Sequence, residues 1–125
     1  MSTLNVANIT DGTDTVETGY VVNGSAKAWV HFQGTGTVAV RESFNVTSIT
    51  DSGSGLYNPN FTASLSGLYS VTGHAIADAN FPSVTGTYGG SRNASSCSVN
   101  TTSAGGASGW SDISTVDAHI FGDLA

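Results

Sequence analysis

Residues 25–55 read SAKAWVHFQGTGTVAVRESFNVTSITDSGSG, and this stretch decides the fold class. A strand sends successive side chains to opposite faces, so Ala28, Val30 and Phe32 share one face while Lys27, Trp29 and His31 share the other. Gly34-Thr35-Gly36 supplies a turn, after which Val38 and Val40 resume the alternation. That is a β-hairpin. Phe44 and Val46 keep the parity of Phe32 and Val40, whereas Ile49 breaks it. Because a one-residue slip moves every side chain to the other face, the break predicts a bulge or a corner near Thr47-Ser48.

The same periodicity continues beyond a loop at DSGSG, residues 51–55. Tyr57 and Phe61 share a face, with Pro59 between them. Proline offers no ladder donor, so this strand is expected at an edge or to be interrupted. The string SGLY occurs twice, ending at Tyr57 and at Tyr69, each time as a flexible entry into a strand. Tyr69, Val71, Gly73 and Ala75 then alternate with Leu68, Ser70, Thr72, His74 and Ile76, a pattern suited to a strand partly covered on both sides. From 77 to 109 the signal thins to fragments such as Cys97, Val99 and Thr101. Val116, Ala118 and Ile120, alternating with Asp117, His119 and Phe121, form a closing strand.

Upstream, residues 3–10 read as a short polar strand carrying Leu4, Val6 and Ile9, followed by the turn cluster DGTD. Residues 16–23 read as a second short segment closed by the turn signal Asn23-Gly24. The chain thus divides into an N-terminal arm or edge strand over 1–24 and a sheet domain over 25–125. Composition agrees. Gly, Ser and Thr make up about 40% of the 125 residues and only 10% are charged, a balance that favours short strands and tight turns over helices. The expected fold is all-β, an antiparallel β-sandwich or jelly-roll-like domain. Large aliphatic and aromatic residues are few for a chain that must offset roughly 1–2 kcal/mol of conformational entropy per residue, so burial between copies is expected.

Several function classes are disfavoured by the same sequence. The net charge is −6, with Lys27, Arg41 and Arg92 the only fixed cations, which is a poor footprint for nucleic acid. No apolar run approaches the roughly 20 residues of a membrane-spanning helix, and no basic-then-apolar export signal opens the chain. Cys97 stands alone and reads as a small buried apolar residue. No zinc motif, Ca²⁺ loop or nucleophile elbow is present, so neither a cofactor, a metal nor a catalytic residue is expected. Three copies of His31, His74 or His119 on a symmetry axis are the one arrangement that could gather metal ligands. Asn-x-Ser/Thr triplets start at Asn8, Asn23, Asn45, Asn60, Asn93 and Asn100, as chance allows in a chain so rich in these residues.

The strand AKAWV at 26–30, the turn GTG at 34–36, the strand FNVTSITD at 44–51 and the Tyr57-x-x-x-Phe61 spacing together resemble a family. It is the small all-β domain near the C-termini of tailed-phage tail fibres and related virion-surface proteins. The resemblance runs from residue 25 to about 121, and departs from the family at Pro59. It implies a virion structural protein rather than an enzyme, made in the bacterial host cytoplasm and carried on the virion surface, with a threefold assembly. The short arm leaves no room for a fibre shaft, which favours a capsid decoration or cement protein whose partners are itself and the major capsid protein. Leu4, Val6 and Ile9 are then the attachment arm, and Trp29, His31, Tyr69 and Phe121 the subunit interface. The competing expectation is a fibre or head-fibre tip, partnered by a tail protein, that binds a host glycan through Trp29, Tyr88 or Trp110.

Overall fold

The computed structural model describes residues 1–66, 68–77, 91–102 and 109–125. In chain order the elements are β1 (Asn8–Thr10), β2 (Thr15–Glu17), α1 (Thr18–Gly24), β3 (Ala28–Gln33), β4 (Ala39–Phe44), β5 (Val46–Gly53), β6 (Leu56–Phe61), β7 (Ser70–Ile76), β8 (Arg92–Asn93), β9 (Ser96–Cys97), β10 (Val99–Asn100) and β11 (Thr115–Phe121). The pairings among these strands are antiparallel. The strands β4-β3-β11-β7 form one sheet, and β6 is the centre of another, with β5 along one edge and β9 and β10 along the other, β8 lying outside β9. The expected all-β sandwich is the observed architecture.

The core follows from the alternation. In the four-stranded sheet Ala28, Val30 and Phe32 lie opposite Ile120, Ala118 and Val116, and all six are essentially inaccessible to solvent. The other sheet contributes Val46, Tyr57, Pro59, Phe61, Cys97 and Val99 to the same core. Complete burial of each large apolar side chain contributes roughly 1.5–3 kcal/mol. Two edge-to-face aromatic pairs lie within it: Phe32 against Tyr57 at 5.1 Å, linking the two sheets, and Phe61 against Tyr69 at 5.9 Å. The two SGLY strings therefore deliver equivalent parts, each a buried tyrosine packed on a phenylalanine with its hydroxyl donating to backbone carbonyls. Tyr57 donates to Gly34 at 2.8 Å, and Tyr69 contacts the carbonyls of Ser96 at 2.8 Å and Asn93 at 2.9 Å.

Phe44 departs from expectation. In β4 the register shifts opposite His31 and Phe32, whose partners are Glu42 and Val40, so Arg41 is the extra residue of a bulge. The bulge inverts the parity of the residues after it. Ser43 lies opposite Val30, and Phe44 lies outward beside Trp29, 56% exposed. Asn45 then takes a left-handed conformation at φ 55, and Val46 enters the second sheet facing the core. A further bulge falls between Val46 and Ser48, where the parity break predicted one.

Pro59 is likewise not at an edge, since β6 is paired on both sides. The Phe61 N–H donates to the Ser95 carbonyl at 2.8 Å, and strand alternation puts the Pro59 nitrogen on that same side. There the neighbouring ladder breaks between β9 and β10, and Ser98 sends its N–H to the Ser91 carbonyl instead. The missing donor falls at that break in the neighbouring ladder, while β6 itself runs unbroken through Pro59, so the expectation of an edge or interrupted strand is corrected.

The arm is a two-stranded hairpin separate from both larger sheets. Its DGTD turn is closed by the Asp11 carboxylate, which accepts the N–H groups of Thr13 and Asp14 at 2.9 Å each. Those bonds, Asp14 before Thr13, hold its pKa below the ordinary carboxylate value. The expectation of a second extended segment over 16–23 is corrected: only Thr15–Glu17 is strand, and Thr18–Gly24 is helical. Nothing in that glycine- and valine-rich sequence favours a helix. Its C-terminal carbonyls are instead gathered by the Lys27 ammonium, which donates to Val22 and, at 2.7 Å, to Ser25, favourable placement for a cation at a helix C-terminus.

Candidate functional site

The outer face of the four-stranded sheet collects the side chains that the alternation excludes from the core. Pairing register sets them in cross-strand rows. One row is Phe44, Trp29, His119 and Thr72; the next is Glu42, His31, Asp117 and His74. His31 Nδ1 lies 2.5 Å from Asp117 Oδ1. Arg41, projected by its bulge, contacts His31 Nε2 at 3.4 Å and donates to Thr115 Oγ1 at 3.1 Å. A guanidinium can only donate, so in this arrangement Nε2 is the acceptor and Nδ1 carries the proton shared with Asp117. Ile76, 46% exposed and opposite Thr115, extends the apolar part of this face.

The structure brings Trp29 and His31 together here, both half-buried, with Phe121 on the same face of β11. Tyr69 does not join them. It is 6% exposed and packed on Phe61 inside the chain's own core, so the expectation that it lines a subunit interface is corrected. Phe44 takes its place on the outer face, and only the unforeseen bulge at Arg41 could have revealed that. His31 and His74 flank Asp117 while His119 lies a row away, and among the described residues no group of three His, Cys, Asp or Glu side chains is suited to hold a metal. Trp110 sits elsewhere, bridged to Thr102 beside the β5–β6 turn. Tyr88 lies outside the described residues. Leu4, Val6 and Ile9 are all exposed on the arm.

The second polar cluster joins the buried Tyr57 hydroxyl to the exposed Asp112. Asp112 Oδ1 accepts the Gly55 N–H at 2.7 Å and lies 3.1 Å from the Tyr57 hydroxyl, which also reaches the Gly34 carbonyl. Burial first, then the Asp112 carboxylate, pushes the Tyr57 pKa up to about 12 from 10.0. Burial likewise pushes the Cys97 thiol up to about 11 from 9.0. Both groups are neutral when protonated and titrate more easily in the unfolded chain. Their contribution to stability is therefore complete below pH 9 for Cys97 and below pH 10 for Tyr57, and is lost as pH rises to about 11 and about 12 respectively. Urea unfolding followed across that window should show stability falling by up to about 5 kcal/mol for the two groups together. Tyr57→Phe should flatten the upper part of the fall, and an unchanged slope would refute the assignment to this hydroxyl.

Among the described residues neither cluster sets an activated nucleophile beside a base. No protein-family model, curated protein or solved structure matches the chain.

Proposed function

We propose that the protein is a structural component of a tailed-phage virion, a decoration protein that stabilises capsomer junctions as a homotrimer. The observation that carries this reading is the arm. Leu4 is 82% exposed, and Ile9, Val16, Tyr20, Val21 and Val22 are also exposed, while α1 buries no residue at all. Such a segment gains little by folding on its own chain and much by laying its apolar side chains on a partner, at about 25 cal/mol per Å² buried. A short hairpin also offers strand edges to a neighbour's sheet. The outer face around Trp29, Phe44 and Phe121 supplies a second contact surface, suited to the meeting of three copies.

Removal of residues 1–24 separates the two surfaces. The truncated chain should keep the thermal transition of the sandwich, because the buried core residues all lie at 28 and beyond. It should fail to stay on particles, measured by quantitative mass spectrometry against the major capsid protein. Retention at full occupancy would sink the attachment role, and a full-length copy number far below capsid stoichiometry would move the protein to the tail.

A further inference from the structure

The outer face of the sheet built on β6 is of a different kind. With Tyr57, Pro59 and Phe61 committed to the core, Asn58 and Asn60 face away from it. Together with Thr50 from β5, Asn93 from β8 and Ser96 and Ser98 at β9, they line a groove of ≈ 420 Å³ that extends to Ser91. Every lining residue among those described is Asn, Ser or Thr; none is charged and none is apolar. The groove lies over the place where the ladder is broken at Pro59, and Ser98, the residue between β9 and β10, donates its hydroxyl to Asn58 Oδ1 at 2.8 Å.

The array is held in place by its own hydrogen bonds. Asn60 Nδ2 donates to Ser48 Oγ at 3.1 Å and to Thr50 Oγ1 at 3.0 Å, Asn58 Nδ2 to Ser52 Oγ at 2.7 Å, and Asn93 Nδ2 to Ser96 Oγ at 3.3 Å. A hydroxyl oxygen that accepts an amide N–H keeps its own O–H donor and a second lone pair. The result is a fixed grid, about 6.8 Å apart along a strand and about 4.8 Å apart between strands, in which Thr50, Ser96, Asn58 and Asn93 can still donate and accept, while Asn60 and Ser98, whose hydrogens are committed internally, present acceptors.

We propose that this groove binds a neutral, polyhydroxylated ligand, an uncharged oligosaccharide, through the Asn58, Asn60, Thr50 and Ser98 side chains. An ion in the groove would lose water without gaining a counter-charge, and an apolar ligand would strand the amides and hydroxyls without partners. A sugar hydroxyl donates and accepts at once and so matches the grid. The volume falls in the range of small-ligand sites, roughly 300–1,000 Å³. The groove and the Trp29 surface belong to different sheets, so the proposal stands independently of how copies assemble.

The test uses the full-length, isotope-labelled protein, titrated in the millimolar range with maltoheptaose, cellopentaose and a chitin pentamer, and with tetragalacturonate as an anionic control. Saturable shifts of the Asn58, Asn60 and Asn93 side-chain amide resonances are expected with at least one neutral oligosaccharide. Asn60→Ala should weaken that binding roughly tenfold, the loss of one hydrogen-bonding group, while Trp29→Ala leaves it unchanged. If Asn60→Ala impairs folding, as judged by its thermal transition, Thr50→Val removes a lining hydroxyl at nearly constant volume and should weaken binding in the same direction. The proposal is overturned if no neutral oligosaccharide gives saturable shifts, if tetragalacturonate binds as well as they do, if the shifts centre on Trp29 or Trp110, or if the folded groove variant binds like the wild type.

Discussion

Gly34→Ala is expected to destabilise the sandwich by roughly 3–5 kcal/mol, a large share of the roughly 5–15 kcal/mol by which single domains are stable. A Cβ at Gly34 would sit 2.6 Å from the Ile113 carbonyl oxygen and 2.6 Å from the Tyr57 hydroxyl, with the ring carbon bearing that hydroxyl at 2.8 Å. Neither neighbour can yield cheaply. The Gly34 N–H donates to that same Ile113 carbonyl at 3.1 Å, and the Tyr57 hydroxyl donates to the Gly34 carbonyl. Relieving the clash breaks one or both bonds and disturbs the Phe32–Tyr57 contact that links the sheets. Gly36 provides the comparison: its φ of +66 strains an alanine, but the space around it is open, so Gly36→Ala should cost only about 1–2 kcal/mol. Urea unfolding of both variants measures the difference, and equal losses would mean that close approach at Gly34 is not the limiting feature.

Asn45→Ala should cost about 2–4 kcal/mol although the residue is only half-buried. Asn45 stands where the chain passes from one sheet to the other, in the left-handed region that asparagine tolerates better than alanine. Its side chain pins that corner to two other segments. Nδ2 donates to the carbonyls of Lys27 and Ala63 at 3.0 and 3.1 Å, and Oδ1 accepts the Ala63 N–H at 2.6 Å. Asn45→Gly separates the two contributions, since glycine restores the backbone conformation but none of the bonds. Its stability should fall between those of the wild type and the alanine variant. A glycine variant no better than alanine would assign the whole effect to the hydrogen bonds.

Much of this fold was legible in the sequence because strand periodicity is local. The alternation of Ala28, Val30 and Phe32, and of Val116, Ala118 and Ile120, placed these residues correctly in the core. The parity break at Ile49 located a real bulge. Phe44 was misplaced for the same reason that those readings worked: parity counts residues and cannot detect an unpaired one, and Arg41 is unpaired in the ladder. Tyr69 was expected at a subunit interface through the family resemblance, whereas its partners are Phe61 and the carbonyls of Asn93 and Ser96, which lie in a segment remote in sequence. The helix at Thr18–Gly24 carries no propensity signal and depends on Lys27 beyond its end. The Asn58 and Asn60 groove was invisible in sequence, because Asn, Ser and Thr are so common here that their convergence has no local mark.

The sequence by itself determined that the chain is all-β, where the hairpin at Gly34–Gly36 turns, and which side chains of β3, β6 and β11 share a face, since each of these depends on residues a few positions apart. Tertiary structure alone decided how β6 lies between partners on both sides, where the corner at Asn45 sends the chain, and which polar residues meet in a groove. Those features are set by pairing register between segments remote in sequence, and a single bulged residue is enough to reverse the face that everything after it presents.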